Sequence, residues 1–384
     1  MKKTLWILVV LALLAFLGWR FLRPMNIFEV GDRFAKPLKM ELPPGLVSLK
    51  AKDCGDCHAE IYTEWKESMH AKAWTDPYYQ VDLRFDGNQQ ICLNCHIPLE
   101  NQQENLVLGF RDAERFDPIL APNPNFDLEL QQEGVTCAVC HVKEGQIIGP
   151  QGNTLAPHPT TRDPEMAKGM TACAQCHVVA NHRWDVFYKI PPCGTVAEIK
   201  AGGQEEDCVG CHLPKVERPL VEGYPSRPSG RHLFRGGHHP PTVAQALAVQ
   251  VRQRKGTQGL EVEVTLENQG AAHALPTGTP DRHLTLRLRL LGPQGQIGPE
   301  ESFVLKRSVL WRPFIIDWKD TRLLRGQPKN FVFKVDQSDL APYDQLEVLV
   351  TYHLLDKARR QRIGYQNQEP IFYPIYQKIF PLTP

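Results

Sequence analysis

The alternation of apolar and polar residues divides the chain into parts of different structure. From about residue 245, apolar residues alternate with polar ones, as in 260–267 and 284–290. A period of two indicates strands with one buried face, and we expect an antiparallel sandwich of about seven strands. The aromatic segment 365–380 is expected to fold back as a cover. Further alternating runs occur at 247–251, 331–335 and 346–352.

The first apolar run does not alternate with polar residues. It is uncharged from Leu5 to Trp19 and has lysines before it and arginines after it. This pattern indicates an export signal. No small-x-small cleavage site follows, which favours an uncleaved membrane helix over residues 1–23. A cleaved signal peptide is the alternative. The proline-rich residues 24–47 are typical of a spacer.

Five copies of the pattern C-x-x-C-H lie between these parts, in residues 48–243. This is the pattern of covalent c-type haem attachment. Two thiols at this spacing reach the two vinyl groups of one porphyrin, and the histidine supplies the proximal nitrogen to iron. The thiols are Cys54, Cys57, Cys92, Cys95, Cys137, Cys140, Cys173, Cys176, Cys208 and Cys211. The proximal histidines are His58, His96, His141, His177 and His212.

Disulfides and zinc sites are the other uses of such cysteines. Neither requires a histidine after every pair, and five pairs do not divide into four-thiolate zinc sites. We therefore interpret the motifs as sites for five c-type haems. Cys193 belongs to no motif, and we expect it to be a buried, inert thiol.

The haem motifs determine the predicted fold class of the central part. Only about 35 to 45 residues accompany each motif, too few for a conventional core between cofactors. The porphyrins would form that core, surrounded by short helices and irregular connections. We predict an α+β chain: a mainly helical and irregular five-haem domain at 48–243, then an all-β sandwich at 244–384, after the membrane helix.

Charge and cofactor chemistry limit the partners and the location. The polypeptide has a net charge of +1, and the haem propionates would make the total negative, which argues against nucleic-acid binding. Haem attachment of this type occurs outside the cytoplasm. We expect a location on the periplasmic or extracellular side of the bacterial cytoplasmic membrane. The expected partners are redox proteins, within a larger respiratory complex or an oligomer.

A second histidine, His70, follows the first motif, and its distance from His58 limits which iron it can bind. Residues 60–73 have near-helical apolar spacing that ends before Asp76. His70 lies 12 residues after His58, about 18 Å along a helix, too far to bind the same iron from the other side. We expect His70 to bind a different haem. The alternative is a surface histidine.

The segment after the first motif resembles a known family. C-x-x-C-H followed by Trp65-x-x-Ser68-x-His70 is similar to the tetrahaem cytochrome c family of ammonia-oxidising bacteria and its multihaem relatives. The resemblance covers roughly residues 50–215 and depends on motif order. It implies a multihaem array, extended in this chain by a fifth motif and a β-domain.

The resemblance also implies distal ligands. It pairs His70 with His141 on the third haem, and His158 with His177 on the fourth. The family has a distal histidine between its second and third motifs, whereas none occurs here between His96 and His141. The other distal ligands must then come from later histidines. Of these, we favour His232 and His238 over His182, and His239 is a spare.

One loop of the predicted β-domain also has a distinctive pattern. Residues 270–278, with His273, resemble a Gly-x-x-His-x-x-Pro-Thr-Gly loop of β-domains that follow haem domains. His273 is interpreted as a loop histidine held by hydrogen bonds, or alternatively as a residue that reaches a haem. His283 and His353 lie on predicted strands, and we interpret them as structural.

These patterns favour a membrane-anchored electron-transfer protein with bis-histidine haems over a catalyst, and they assign no catalytic residue. One alternative is an oxidoreductase that acts on a nitrogen or sulfur compound at a haem with an open site, the first or the second. Another is a subunit of a larger haem assembly or filament. Each motif ends in histidine, so the lysine-ligated haem of ammonia-forming nitrite reductases is not expected.

Overall fold

The chain folds into two compact units, each built from separate stretches of sequence. The computed structural model describes residues 2–22, 30–153, 156–177, 194–204, 207–310, 316–366 and 370–382. The first unit comprises residues 1–191, 207–234 and 308–319. The second comprises residues 192–206, 235–307 and 320–384. All five C-x-x-C-H motifs therefore belong to the first unit.

Most helices are short, because proline and glycine interrupt the chain at close intervals. The helices are α1 (Lys2–Leu22), α2 (Asp32–Ala35), α3 (Ala51–Gly55), α4 (Ala59–Glu67), α5 (Pro77–Phe85), α6 (Gln90–His96), α7 (Leu128–Gln132), α8 (Cys137–His141), α9 (Met170–Cys173), α10 (Thr195–Ala201), α11 (Cys208–His212), α12 (Pro240–Ala246) and α13 (Lys357–Ile363). Aspartate caps several of them: Asp76, for example, accepts a hydrogen bond from the Tyr79 N–H at the start of α5, 3.1 Å away.

Helix α1 is long and apolar enough to cross a membrane. It has 21 residues, and nearly all of them are exposed. An anchor and an export signal both have this length and composition. The prediction of an N-terminal apolar helix is therefore confirmed.

The segment after this helix differs from the predicted spacer. Within 30–47, Val30 and Phe34 are buried. The Leu38 N–H donates to the Pro98 carbonyl at 2.7 Å, and the Leu38 carbonyl accepts from the Glu100 N–H at 2.9 Å. Its apolar side chains thus join the packing of the first unit. Proline content alone does not reveal this, because the buried residues are few and irregularly spaced.

Small sheets supplement the helices of the first unit. The strands β1 (Asn105–Phe110) and β2 (Pro118–Pro122) form an antiparallel hairpin. A second sheet has the order β3-β4-β5, and β6 pairs with β7. Their bounds are β3 (Val142–Lys143), β4 (Gln146–Gly149), β5 (Thr160–Arg162), β6 (Lys215–Arg218) and β7 (Arg227–Gly230).

The later strands form two antiparallel sheets, of order β13-β9-β8 and β12-β11-β10-β14-β15. One core contains the buried faces of both, including Val262 and Val264 from β9 and Leu286 and Leu288 from β10. This confirms the strands predicted from alternation and the mixed helix and sheet content. The strands are β8 (Leu247–Gly256), β9 (Gly259–Asn268), β10 (His283–Leu291), β11 (Ile297–Leu310), β12 (Ile316–Asp320), β13 (Lys329–Asp336), β14 (Gln345–His353) and β15 (Phe372–Pro381).

The last strand and one histidine pair of these two sheets bear on predictions made from the sequence. The aromatic end of the chain forms β15, a strand that pairs with β14. It is therefore part of a sheet and not a separate cover. His283 and His353 are register partners on β10 and β14, and their rings stack with centroids 4.1 Å apart.

A buried ion pair of the second unit holds the 270–278 loop. Arg322 Nη1 donates to Glu198 Oε1 at 2.6 Å, and both side chains are 2% exposed. The other Glu198 oxygen accepts from the Thr277 hydroxyl at 2.7 Å and from the Ala274 N–H at 3.2 Å. His273 Nδ1 donates to the Ala274 carbonyl at 2.9 Å. These bonds fix the loop backbone within the second unit.

Candidate haem-binding sites

Each motif contains a short helical segment. Helices α6, α8 and α11 end at the motif histidine, and Cys54 and Cys173 lie in the last turns of α3 and α9. One helical turn is 3.6 residues, so the two cysteines of a motif project on neighbouring sides of the same turn. That arrangement is suitable for two thioether bonds to one porphyrin edge.

Three motif histidines are oriented by backbone carbonyls. Nδ1 of His58 donates to the Leu220 carbonyl at 2.9 Å, and Nδ1 of His96 donates to the Ala73 carbonyl at 2.8 Å. Nδ1 of His141 likewise bonds to the Ile148 carbonyl at 3.0 Å. A carbonyl only accepts, so Nδ1 carries the proton and Nε2 keeps the lone pair that binds a metal.

Three motif histidines also lie opposite a second imidazole, at equal separations. The ring centroids are 6.2 Å apart in each pair. Two nitrogens, each about 2 Å from one iron, separate the ring centroids by about 6 Å. The residues present therefore fit haem iron between them. The pairs are His58 with His158, His177 with His70, and His141 with His232.

These pairs correct the assignments implied by the family resemblance. His70 faces His177 of the fourth motif, not His141 of the third. His158 faces His58 of the first motif, not His177. His70 and His158 each face a motif histidine, but which one they face depends on long-range packing that motif order does not encode.

Packing around His70 explains the Trp65-x-x-Ser68-x-His70 pattern. Helix α4 ends at Glu67, earlier than the predicted helix, because Ser68 is extended; its hydroxyl accepts from the Ala71 N–H at 3.4 Å. The buried Trp65 donates from Nε1 to the Val135 carbonyl, and the Val135 N–H donates to the His70 carbonyl, both at 2.9 Å. The three residues of the pattern thus fix the turn that holds the ring.

A glycine is required beside this turn. Gly134 has φ +61°, and a Cβ there would lie 2.7 Å from the His70 carbonyl oxygen. Any other residue would push this backbone away from His70. The sequence analysis did not identify Gly134, although a glycine just before the third motif was a signal that could have indicated it.

Burial keeps several of these imidazoles neutral. It lowers the pKa of His70 to about 3, and the nearby His177, His212 and His232 add to the effect. Burial also lowers the pKa of His96 and of His232 to about 4. A neutral imidazole is the form that binds iron, so these groups are ready to act as ligands near neutral pH.

His96 of the second motif has a different neighbour. Within the part of the chain that the structure describes, its ring stacks on Tyr79, with centroids 3.6 Å apart and planes 3° from parallel. A ring in this position lies beside the imidazole and not across an iron from it. Burial raises the pKa of Tyr79 well above its ordinary value, so the phenol keeps its proton.

The remaining candidate histidines are distributed differently. His239 caps α12, because its Nδ1 accepts from the Thr242 N–H at 3.3 Å, which agrees with its interpretation as a spare. His238 belongs to the second unit, and its ligation stays a prediction. His182 and Cys193 lie outside the described residues.

Thiols from different motifs lie near one another. Cys54 is near Cys137, Cys95 is near Cys176, and Cys173 is near Cys208. These pairs connect the first motif with the third, the second with the fourth, and the fourth with the fifth. Porphyrins attached at these positions would have neighbouring edges.

Comparison with known proteins supports the same interpretation. The family described as cytochrome c554 and c-prime matches residues 53–115, which contain the first two motifs and His70. No curated protein matches the chain significantly.

One solved structure is similar over most of the chain: a penta-heme cytochrome c552 from Thermochromatium tepidum, at 19% sequence identity, with 86% of this chain and 98% of that chain covered and a TM-score of 0.64. At this identity the similarity shows a shared fold. A β-glucosidase 3B from Thermotoga neapolitana in complex with glycerol has a TM-score of 0.18, with 14% identity over 36% of this chain and 16% of that one, and carries no argument. Together, the family match and the shared fold support a multihaem c-type cytochrome.

Proposed function

We propose that this protein carries five c-type haems and transfers electrons on the periplasmic or extracellular side of the bacterial cytoplasmic membrane, held there by its N-terminal helix. The three imidazole pairs at 6.2 Å carry the proposal, because two imidazoles on one iron leave no position for a substrate. The similarity to a penta-heme cytochrome supports the haem number.

Haem iron, when bound, would supply the one-electron chemistry. The chain's own residues orient the imidazoles that would bind the iron, and they shield these ligands. The carbonyls of Leu220, Ala73 and Ile148 set the tautomer of three proximal imidazoles. The proximity of cysteines from different motifs would place neighbouring cofactors edge to edge, so that electrons pass between them within one unit. Redox proteins, in a respiratory complex or an oligomer, would deliver and accept these electrons.

Haem counting and ligand spectroscopy test the proposal. The purified protein should contain five covalently bound haems by intact mass and pyridine haemochrome. Electron paramagnetic resonance of the oxidised protein should show low-spin signals from the pairs of His58, His141 and His177. Four or fewer haems in a fully matured sample, or high-spin iron at these three sites, would contradict it.

A specific observation favours a second candidate function, an oxidoreductase with one open haem. His96 stacks on Tyr79 in the described residues, whereas the three paired histidines face an imidazole. The second haem would then have a side accessible to a small nitrogen or sulfur compound. This matches the sequence-based expectation that the first or second haem is the open one, and the His58–His158 pair favours the second.

Carbon monoxide binding distinguishes the two functions. Binding of about one carbon monoxide per reduced protein, together with turnover of nitrite or hydroxylamine, would support the oxidoreductase. No carbon monoxide binding would support a pure electron carrier. His96→Ala, which removes the second proximal ligand, should shift the absorption band of the carbon monoxide complex if the open site is there.

A further inference from the structure

A buried cluster of charges lies beside His232. Glu64, on α4, accepts at Oε2 from Arg218 Nη2 at 2.9 Å and at Oε1 from Arg231 Nε at 3.0 Å. The Glu64 and Arg218 side chains are only 12% and 6% exposed. Burial raises the pKa of Glu64, but these donors outweigh it and leave the pKa below its usual value. Glu64 is therefore an ionised, fully bonded carboxylate.

The cluster holds both the backbone and the ring of His232. The His232 N–H donates to Glu64 Oε2 at 2.9 Å. His232 Nδ1 donates to the Gly230 carbonyl at 2.9 Å, and the same carbonyl accepts from Arg218 Nη2 at 2.8 Å. One arginine nitrogen thus bridges the carboxylate that fixes the backbone and the carbonyl that fixes the ring. Nε2 of His232 is thereby left with the lone pair, on a ring that faces His141.

We infer that Glu64 and Arg218 are positioning residues for the distal ligand of the third haem. The inference rests on the proposed function, in which iron lies between His141 and His232. Glu64 follows the first motif in sequence, and His70 lies six residues further on, opposite His177. A single segment, 59–70, therefore sets the distal ligands of two haems to which it is not attached.

The charges also fit this role. A carboxylate buried near iron without a partner would be strongly destabilising. Arg218 neutralises Glu64 and itself bonds to the Ser229 hydroxyl at 3.3 Å, so it cannot turn away without losing contacts on both sides. Glu60, one turn earlier on α4, is 69% exposed and lies 3.7 Å from Arg218, and it contacts neither the backbone nor the ring of His232. It provides a matched control.

The experiment uses the full-length holoprotein and electron paramagnetic resonance. His232→Ala first identifies the low-spin signal of the third haem, because that signal should be lost. Glu64→Ala should shift the g values of the same signal and convert part of it to high spin. Glu64→Gln, whose amide oxygen still accepts from the His232 N–H, should restore most of the signal. Glu60→Gln should leave the spectrum unchanged.

The outcomes separate this inference from the proposed function. If His232→Ala leaves every low-spin signal intact, the ligand assignment fails. If His232→Ala removes a signal but Glu64→Ala lowers only thermal stability and leaves that signal unchanged, the positioning role is overturned. Should Glu64→Ala not mature, Arg218→Lys keeps the charge and removes the bridging nitrogen. It should shift the same signal, and an unchanged signal would equally overturn the inference.

Discussion

The imidazole of His70 packs against Phe234, with ring centroids 4.4 Å apart, and the Val135 N–H donates to the His70 carbonyl. Burial lowers its pKa to about 3, so the ring is neutral near physiological pH. A neutral imidazole 6.2 Å from His177 is placed where it would bind the iron of the proposed fourth haem.

His70→Ala should therefore open the fourth haem and not the third. We expect loss of one low-spin signal and a new high-spin signal that binds carbon monoxide on reduction. The lost signal should differ from that removed by His232→Ala, because the two histidines face different proximal ligands. Loss of the same signal in both variants would contradict the assignment of the two histidines to different haems. His239→Ala, which removes a helix cap, is the control.

At this scale the sequence singled out histidines that the structure places opposite motif histidines, and it missed how they pair. The spacing after the first motif identified His70 as a ligand of another haem, because a 12-residue separation excludes the same iron. The identity of that haem depends on contacts such as Gly134 against His70, which arise only when distant segments meet. The stacking of Tyr79 on His96 also results from packing, and no sequence motif predicts it.

At the scale of structural elements, the conformation of the loop 270–278 depends on one buried ion pair. Glu198 on α10 and Arg322 bond to each other and to three groups of the loop: the Ala274 N–H, the Thr277 hydroxyl and the Pro276 carbonyl. Asp320 adds a further bond to Arg322 at 2.7 Å. Removing Arg322 would leave the Glu198 charge buried without its ionic partner, whereas removing Glu198 leaves Arg322 paired with Asp320.

Arg322→Met should destabilise the second unit by about 3–5 kcal/mol, because Glu198 would then carry an uncompensated buried charge. Chemical denaturation, followed by hydrogen exchange in strands of this unit, measures the change. Replacing both partners, with Glu198→Leu and Arg322→Met, should recover much of the loss because no buried charge remains. A double variant as unstable as the sum of the singles would show that the loop bonds matter more than the ion pair.

Regular alternation made the strands predictable, while irregular elements were not. Strand β9 alternates strictly between buried and half-buried residues, so its sequence identified it. Strand β15 contains Pro374 and a bulge in its pairing with β14, and its aromatic residues suggested a cover. The early end of α4 at Ser68 depends on a local hydrogen bond, which apolar spacing does not report.

At the scale of the whole molecule, cysteine pairs from different motifs lie near one another, as a continuous haem array would require. They join the motifs in the order first to third, second to fourth and fourth to fifth, and Cys140 of the third motif lies close to Cys176 of the fourth. All five motifs are thereby linked within the first unit. Cys57 and Cys211 are exposed, so the first and fifth motifs reach the surface, where partner proteins would exchange electrons.

The position of this array relative to the membrane depends on α1. Its 21 residues are long enough to cross a hydrocarbon core of about 30 Å. If α1 remains uncleaved, the protein should stay in the membrane fraction after a high-salt wash and be released by detergent. Replacing residues 1–23 with a cleavable export signal should yield a soluble protein with the same number of haems, because the motifs begin at Cys54. Amino-terminal sequencing of the natural protein provides the decisive measurement: a mature chain that begins near residue 24 would show that α1 is an export signal and not an anchor.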